Sequence, residues 1–95
     1  MSDTEQARAC VVFEGTVQGV GFRYTTVQIA SSFDVTGYVK NCRDGSVELV
    51  AEGERGEVEA VVASVSRRMA RYVRDREVTW SEATGEFEGF GVRFR

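Results

Sequence analysis

The stretch Gly15-Thr16-Val17-Gln18-Gly19-Val20-Gly21-Phe22-Arg23 brings three glycines to an arginine at the start of a helical pattern. A loop without bulky side chains lets successive backbone N–H groups converge on a phosphate, and the positive end of the helix dipole adds to the attraction. Arg23 supplies a permanent charge and a planar fork of donors. Gly15, Thr16, Val17, Gln18, Gly19, Val20, Gly21 and Phe22 are therefore candidate substrate-binding residues around an anion, with Arg23 beside them. Tight turning alone is the competing explanation for the glycines, and a surface ion pair is the competing one for Arg23. Other phosphate loops do not fit. The chain has no Gly-Lys for a Walker loop, and a dinucleotide fingerprint would need glycine where Tyr24 stands.

The chain has no histidine, so the commonest general base and the commonest zinc ligand are both missing. Its two cysteines, Cys10 and Cys42, could form one disulfide, but without a secretion signal they are expected as reduced thiols. A thiolate phosphatase places an arginine a fixed loop length after its cysteine. Six positions beyond Cys10 and Cys42 stand Thr16 and Glu48.

The elements around the loop follow from periodicity. Ala9 to Glu14 alternates and predicts a strand. Phe22, Thr26, Ile29, Ala30 and Phe33 recur at helical spacing and predict a helix from Phe22 to about Phe33. Val35 to Cys42 and Ser46 to Glu52 read as an antiparallel pair joined through Asp44-Gly45, a dipeptide suited to a tight turn. Val58, Val61, Val62, Val65 and Met69 predict a second helix from about Glu54 to Arg71. Glu77 to Ala83 and Phe90 to Phe94 read as the last strands.

The order β-α-β-β-α-β with a short extra strand predicts an α+β, ferredoxin-like split βαβ sandwich, with a mixed sheet and two helices on one face. Residues 1–8 are expected to form a flexible tail ahead of a single domain over 9–95.

A second cluster completes the picture: Gly37-Tyr38-Val39-Lys40-Asn41, then Asp44-Gly45, Val47 and Gly53. Together with the first, it resembles the acylphosphatase family. That family's first motif, glycine, any residue, Val-Gln-Gly-Val, any residue, aromatic, Arg, is matched by Gly15 to Arg23. Its second motif is matched by Gly37 to Gly53, with Asn41 at its asparagine. Cys42 stands where the family often has a hydroxyl residue, and the second helix lacks the Gly-Pro often found at its start.

The resemblance implies hydrolysis of acyl phosphates to carboxylate and inorganic phosphate, with neither cofactor nor metal. Arg23 and the loop amides would hold the phosphoryl oxygens, and the Asn41 carboxamide would orient the attacking water. Phe22 and Tyr38 read better as packing residues and Lys40 as part of a solvated strand face, while Gln18 fits a brace for the loop and a contact to the anion equally well. Two readings compete with hydrolysis: a noncatalytic anion-binding regulatory module of the same fold, and an RNA-binding sheet. The latter stacks bases on aromatics of its central strands, where this chain offers mainly Val and Ala.

Net charge is −3 and the isoelectric point lies near 5, which disfavours a nucleic-acid partner. No run reaches the roughly 20 apolar residues of a membrane helix. Met1 to Ala9 is polar and acidic, unlike a secretory leader. A cytoplasmic monomer acting on a small molecule is expected.

Overall fold

The computed structural model describes residues 5–94. Its elements are β1 (Gln6–Gly15), α1 (Phe22–Ala30), β2 (Val35–Asn41), β3 (Val47–Glu54), α2 (Arg55–Arg68), β4 (Val73–Ser81) and β5 (Phe90–Val92). They form one five-stranded sheet in the order β4-β1-β3-β2-β5, antiparallel except where β5 runs parallel to β2.

Alternation along the strands divides the sheet into two faces. Ala9, Val11 and Phe13 of β1, Val39 of β2, and Val47, Leu49 and Ala51 of β3 are buried together with Phe22 and Ala30 of α1 and the four valines of α2. Both helices therefore cover the same face, which is the ferredoxin-like sandwich. No helix among the described residues is long and apolar enough to cross a membrane.

Helix α1 buries Phe22, Thr26 and Ala30, a stripe at i, i+4, i+8, and the Thr26 hydroxyl donates to the Phe22 carbonyl at 2.8 Å. It stops at Ala30, short of the predicted Phe33. There the amides of Ser32 and Phe33 donate three residues back, to Ile29 and Ala30, and tighten the chain out of the helix. Helix α2 places Glu57 in its first turn and Arg67 and Arg68 in its last, matching the helix dipole.

Several strand limits also differ from the sequence reading, and β5 ends at Val92, short of the predicted Phe94. Strand β4 begins at Val73 and ends at Ser81, because an edge strand can carry Arg74-Asp75-Arg76 outward without breaking its pairing to β1. Strand β1 begins at Gln6, opposite Glu54, so residues 6–8 of the predicted tail are paired. Residues 1–4 lie outside the described residues.

The face opposite the helices carries a polar lattice. Buried Glu52 accepts the amides of Thr84 and Gly85 at 3.0 and 2.9 Å on Oε1, while Arg8 and the Thr84 hydroxyl lie 3.0 and 2.9 Å from Oε2. This carboxylate pins the connection between β4 and β5. The chain then returns along β2, with Phe90, Gly91 and Val92 beside Gly37, Tyr38 and Val39.

Candidate active site

The anion loop is built by a change in strand partner. The β1–β4 register shifts between Glu14 and Gly15, and Gly15 (φ +134°) lies so close to the 72–74 backbone that a Cβ there would press on the Tyr72 carbonyl. The Thr16 amide donates to that same carbonyl at 3.0 Å. The Thr16 N–H is therefore committed within the fold, and Gly15 serves a close approach of chains.

Beyond that point the loop opens. Gly19 (φ +79°) and Gly21 (φ +78°) adopt left-handed conformations, in open space where no neighbour would meet a Cβ. Alternation of left-handed and right-handed residues makes a concave row of N–H groups. Gly21 is also the N-cap of α1, with no side-chain cap and no acidic residue in the first turn. The first helical amides lack intrahelical partners by geometry, so this end is electropositive.

Arg23 stands in that first turn. Among the described residues no carboxylate pairs with it, and its guanidinium lies over the Phe94 ring at 5.4 Å from the centroid. Asn41 closes β2 opposite Val47. The turn after it is held by the Cys42 amide on the Ser46 carbonyl at 2.9 Å, and by Asp44 Oδ1, which accepts the Ser46 amide at 3.0 Å and hydroxyl at 2.6 Å. Those Ser46 bonds hold the Asp44 carboxyl below its ordinary value.

Gln18 joins the two pieces. Its Nε2 donates to the carbonyls of Cys42 at 2.7 Å and Ser46 at 2.9 Å.

The result is a cavity of about 350 Å³ lined by Val17, Gly19, Gly21, Phe22, Arg23 and Asn41, and on its outer side by Tyr24, Val27, Val92 and Phe94. Arg23 and Asn41 are thus brought to one space with half of the predicted loop residues. Val17 and Phe22 form its buried floor, Phe22 tilted against Phe13 at 5.0 Å. Gly15, Thr16, Gln18 and Val20 do not line it; Val20 packs against the core instead.

Other candidates lie elsewhere. Lys40 sits 3.9 Å from Glu48 on the open sheet face, where Tyr38 donates its hydroxyl to Glu48 at 2.7 Å. Burial, then that bond, pushes the Tyr38 phenol up to about 12. Cys10 and Cys42 are free thiols, and burial together with Glu48 raises the Cys10 value, so that sulfur stays protonated.

The outer wall was not singled out by sequence. Phe90, Val92 and Phe94 alternate as a strand face, but only the parallel pairing of β5 with β2 carries Phe94 to the level of Asn41. Tyr24 lies off the buried stripe of α1, and that polarity mismatch is the signal that could have marked it.

The family model described as Acylphosphatase matches residues 9–92. The chain is 44% identical over 95 residues to an acylphosphatase of Salinibacter ruber, covering 98% of this chain and 99% of that one. It is 46% identical over 81 residues to one of Yersinia pseudotuberculosis, covering 84% and 88%. The crystal structure of acylphosphatase from Bacillus subtilis superposes with a TM-score of 0.83 at 31% identity, covering 93% of this chain and 99% of that one.

Proposed function

The chain belongs to the acylphosphatase family and hydrolyses acyl phosphates, and on that premise we propose that Arg23 and Asn41 divide the reaction between them. The phosphoryl oxygens sit against the N–H groups of the Gly19–Gly21 turn and the first turn of α1, with the Arg23 fork donating to two of them. The Asn41 carboxamide holds a water by accepting a hydrogen bond from it, and aims the water oxygen at phosphorus opposite the acyl oxygen.

The water oxygen forms the new bond to phosphorus as the bond from phosphorus to the acyl oxygen breaks, and the carboxylate departs with the electron pair. One water proton passes to a phosphoryl oxygen, so the products are carboxylate and dihydrogen phosphate. Carboxyl groups have pKa values near ~4, so the leaving group needs no general acid. The transition state spreads charge over the equatorial oxygens, which makes positioning and electrostatics the main sources of rate. A chain without histidine is suited to this reaction.

The observation that carries this reading is the shared cavity of Arg23, Asn41 and the glycine turn. Its lining includes no carboxylate, imidazole or thiol, which are the usual metal ligands, so the reaction proposed here runs without a metal. Turnover that is lost on chelation and restored by a divalent cation would overturn that part. The noncatalytic alternative is not favoured, because the matched relatives are themselves called acylphosphatases. Steady-state hydrolysis of a simple acyl phosphate beside a phosphate monoester tests the reaction class: the anhydride is consumed and the monoester is not.

We place the chain in a reducing, cytoplasmic setting, which two free thiols suit. It acts there as a monomer on a small molecule, without nucleic acid.

A further inference from the structure

Three large hydrophobic residues are exposed among the described ones: Tyr24 at 68%, Val92 at 40% and Phe94 at 79%. All three line the outer side of the same cavity, beside Val27. Scattered exposed apolar residues mean little, but a contiguous group at the mouth of a pocket marks a surface that something covers. They come from separate elements. Tyr24 and Val27 belong to α1, whereas Val92 and Phe94 arrive through the pairing of β5 with β2, Val92 opposite Val39.

The wall is also held in place. Gln28 donates to the Tyr24 hydroxyl at 2.9 Å from one turn further along α1. The Phe94 ring lies beneath the Arg23 guanidinium. Arg23 is the one charged side chain in the lining, and its partner in catalysis is the phosphate. Lys40 is turned to Glu48, and Arg93 lies over the Tyr38 ring at 3.9 Å from its centroid. A second anionic group on the substrate would therefore find no cation in the lining.

We infer that Tyr24, Val27, Val92 and Phe94 form an acyl-group subsite selective for an uncharged, apolar acyl chain of about the size of one aromatic ring. This deepens the hydrolytic reading and rests on it for the placement of the phosphate. The phosphoryl end occupies the glycine turn and Arg23, and the acyl carbon leads outward onto the wall. A cavity of about 350 Å³ is at the small end of the range for ligand sites, enough for a phosphate with one ring. Tyr24 and Phe94, as the large exposed members, set the preference.

The test uses acylphosphonates, in which the scissile oxygen is absent and the acyl carbon is bonded directly to phosphorus, so binding is measured apart from turnover. Calorimetry compares benzoylphosphonate, acetylphosphonate, the carboxylate-tailed succinyl analogue and inorganic phosphate, on the wild type and on Tyr24→Ser, Phe94→Ser and the double variant. Both residues are exposed, so these substitutions leave the core untouched. The wild type should bind the benzoyl compound about tenfold or more tightly than the acetyl one, as burial of a ring predicts. The succinyl compound should bind no better than the acetyl one. In the double variant the benzoyl-to-acetyl ratio should fall to within about twofold of unity.

Equal affinity for benzoyl and acetyl compounds in the wild type, or a ratio that survives both substitutions, would overturn the subsite. So would tighter binding of the succinyl compound. A dimer that dissociates on Phe94→Ser would give the wall to a second copy of the chain instead. Failure of the hydrolytic reading looks different: the binding ratios hold, but no acyl phosphate is turned over.

Discussion

Gln18 donates its side-chain amide to the Cys42 carbonyl at 2.7 Å, tying the glycine loop to the residue that follows Asn41. A second bond to Ser46 at 2.9 Å makes the tie bidentate across the mouth of the hairpin. The two halves of the proposed site lie on separate elements, and this is the direct bond between them. Removing it should cost about 0.5–1.5 kcal/mol, because the Cys42 and Ser46 carbonyls keep the backbone amides of Gly45 and Cys42 as donors. It should also let Asn41 drift relative to Arg23, which lowers kcat by about tenfold to a hundredfold, since a displacement near 1 Å has that effect. Urea denaturation and steady-state kinetics of Gln18→Ala check both. Gln18→Glu should be worse than Gln18→Ala, because a carboxylate would face two carbonyl oxygens.

Arg23 carries a different kind of prediction, because it has no carboxylate partner to lose among the described residues. Arg23→Ala should leave stability nearly unchanged while abolishing inhibition by phosphate and lowering kcat/KM by about a thousandfold or more. Arg23→Lys should recover little, since an ammonium cannot reproduce the planar fork. A lysine variant within a few-fold of wild type would mean that charge alone suffices at this position.

Two glycines of the same loop should respond to alanine in opposite ways. Gly21 has φ near +78° with open space around it, so Gly21→Ala should cost only about 1 kcal/mol while disturbing the N–H row and with it phosphate affinity. Gly15→Ala would drive a methyl into the Tyr72 carbonyl and should destabilise the fold by several-fold more. Thermal denaturation together with phosphate inhibition of each variant separates the two roles.

The far end of the sheet predicts acid sensitivity. Burial works against the charge on Glu52, but the amides of Gly85 and Thr84, the Thr84 hydroxyl and Arg8 outweigh it and hold the carboxyl below its ordinary value. A carboxylate depressed in the folded state stabilises the protein above its unfolded pKa and loses that contribution as pH falls through the folded one. Stability should therefore be level down to about pH 4.3 and decline below it. Glu52→Gln should reduce stability at neutral pH and flatten the acid decline. A denaturation curve of the variant with the wild-type pH dependence would remove Glu52 from the account.

The sequence carried the local features and missed the ones that depend on distant contacts. The spacing of Gly19, Gly21 and Arg23, the turn at Asp44-Gly45 and the valine repeat of α2 were all legible, because each arises within a few residues. Asn41 became legible through a family motif, since a single asparagine at a strand end has no distinctive pattern. The Thr16 amide is engaged by Tyr72, far along the chain, after a register shift that periodicity does not reveal. Glu52 has no local signal that sets it apart from the other acids, and the return of residues 84–85 caps it. Phe94 reaches the cavity through a parallel pairing that has no local code.

The central claim is that Arg23 holds the phosphate while Asn41 aims the water. It is tested most directly by measuring, on Asn41→Ala, kcat for a simple acyl phosphate and the inhibition constant of inorganic phosphate together. The account predicts that kcat falls by about a hundredfold or more while the phosphate constant stays within about twofold of wild type. A variant that keeps near wild-type turnover, or one that loses phosphate affinity in proportion to turnover, would contradict it.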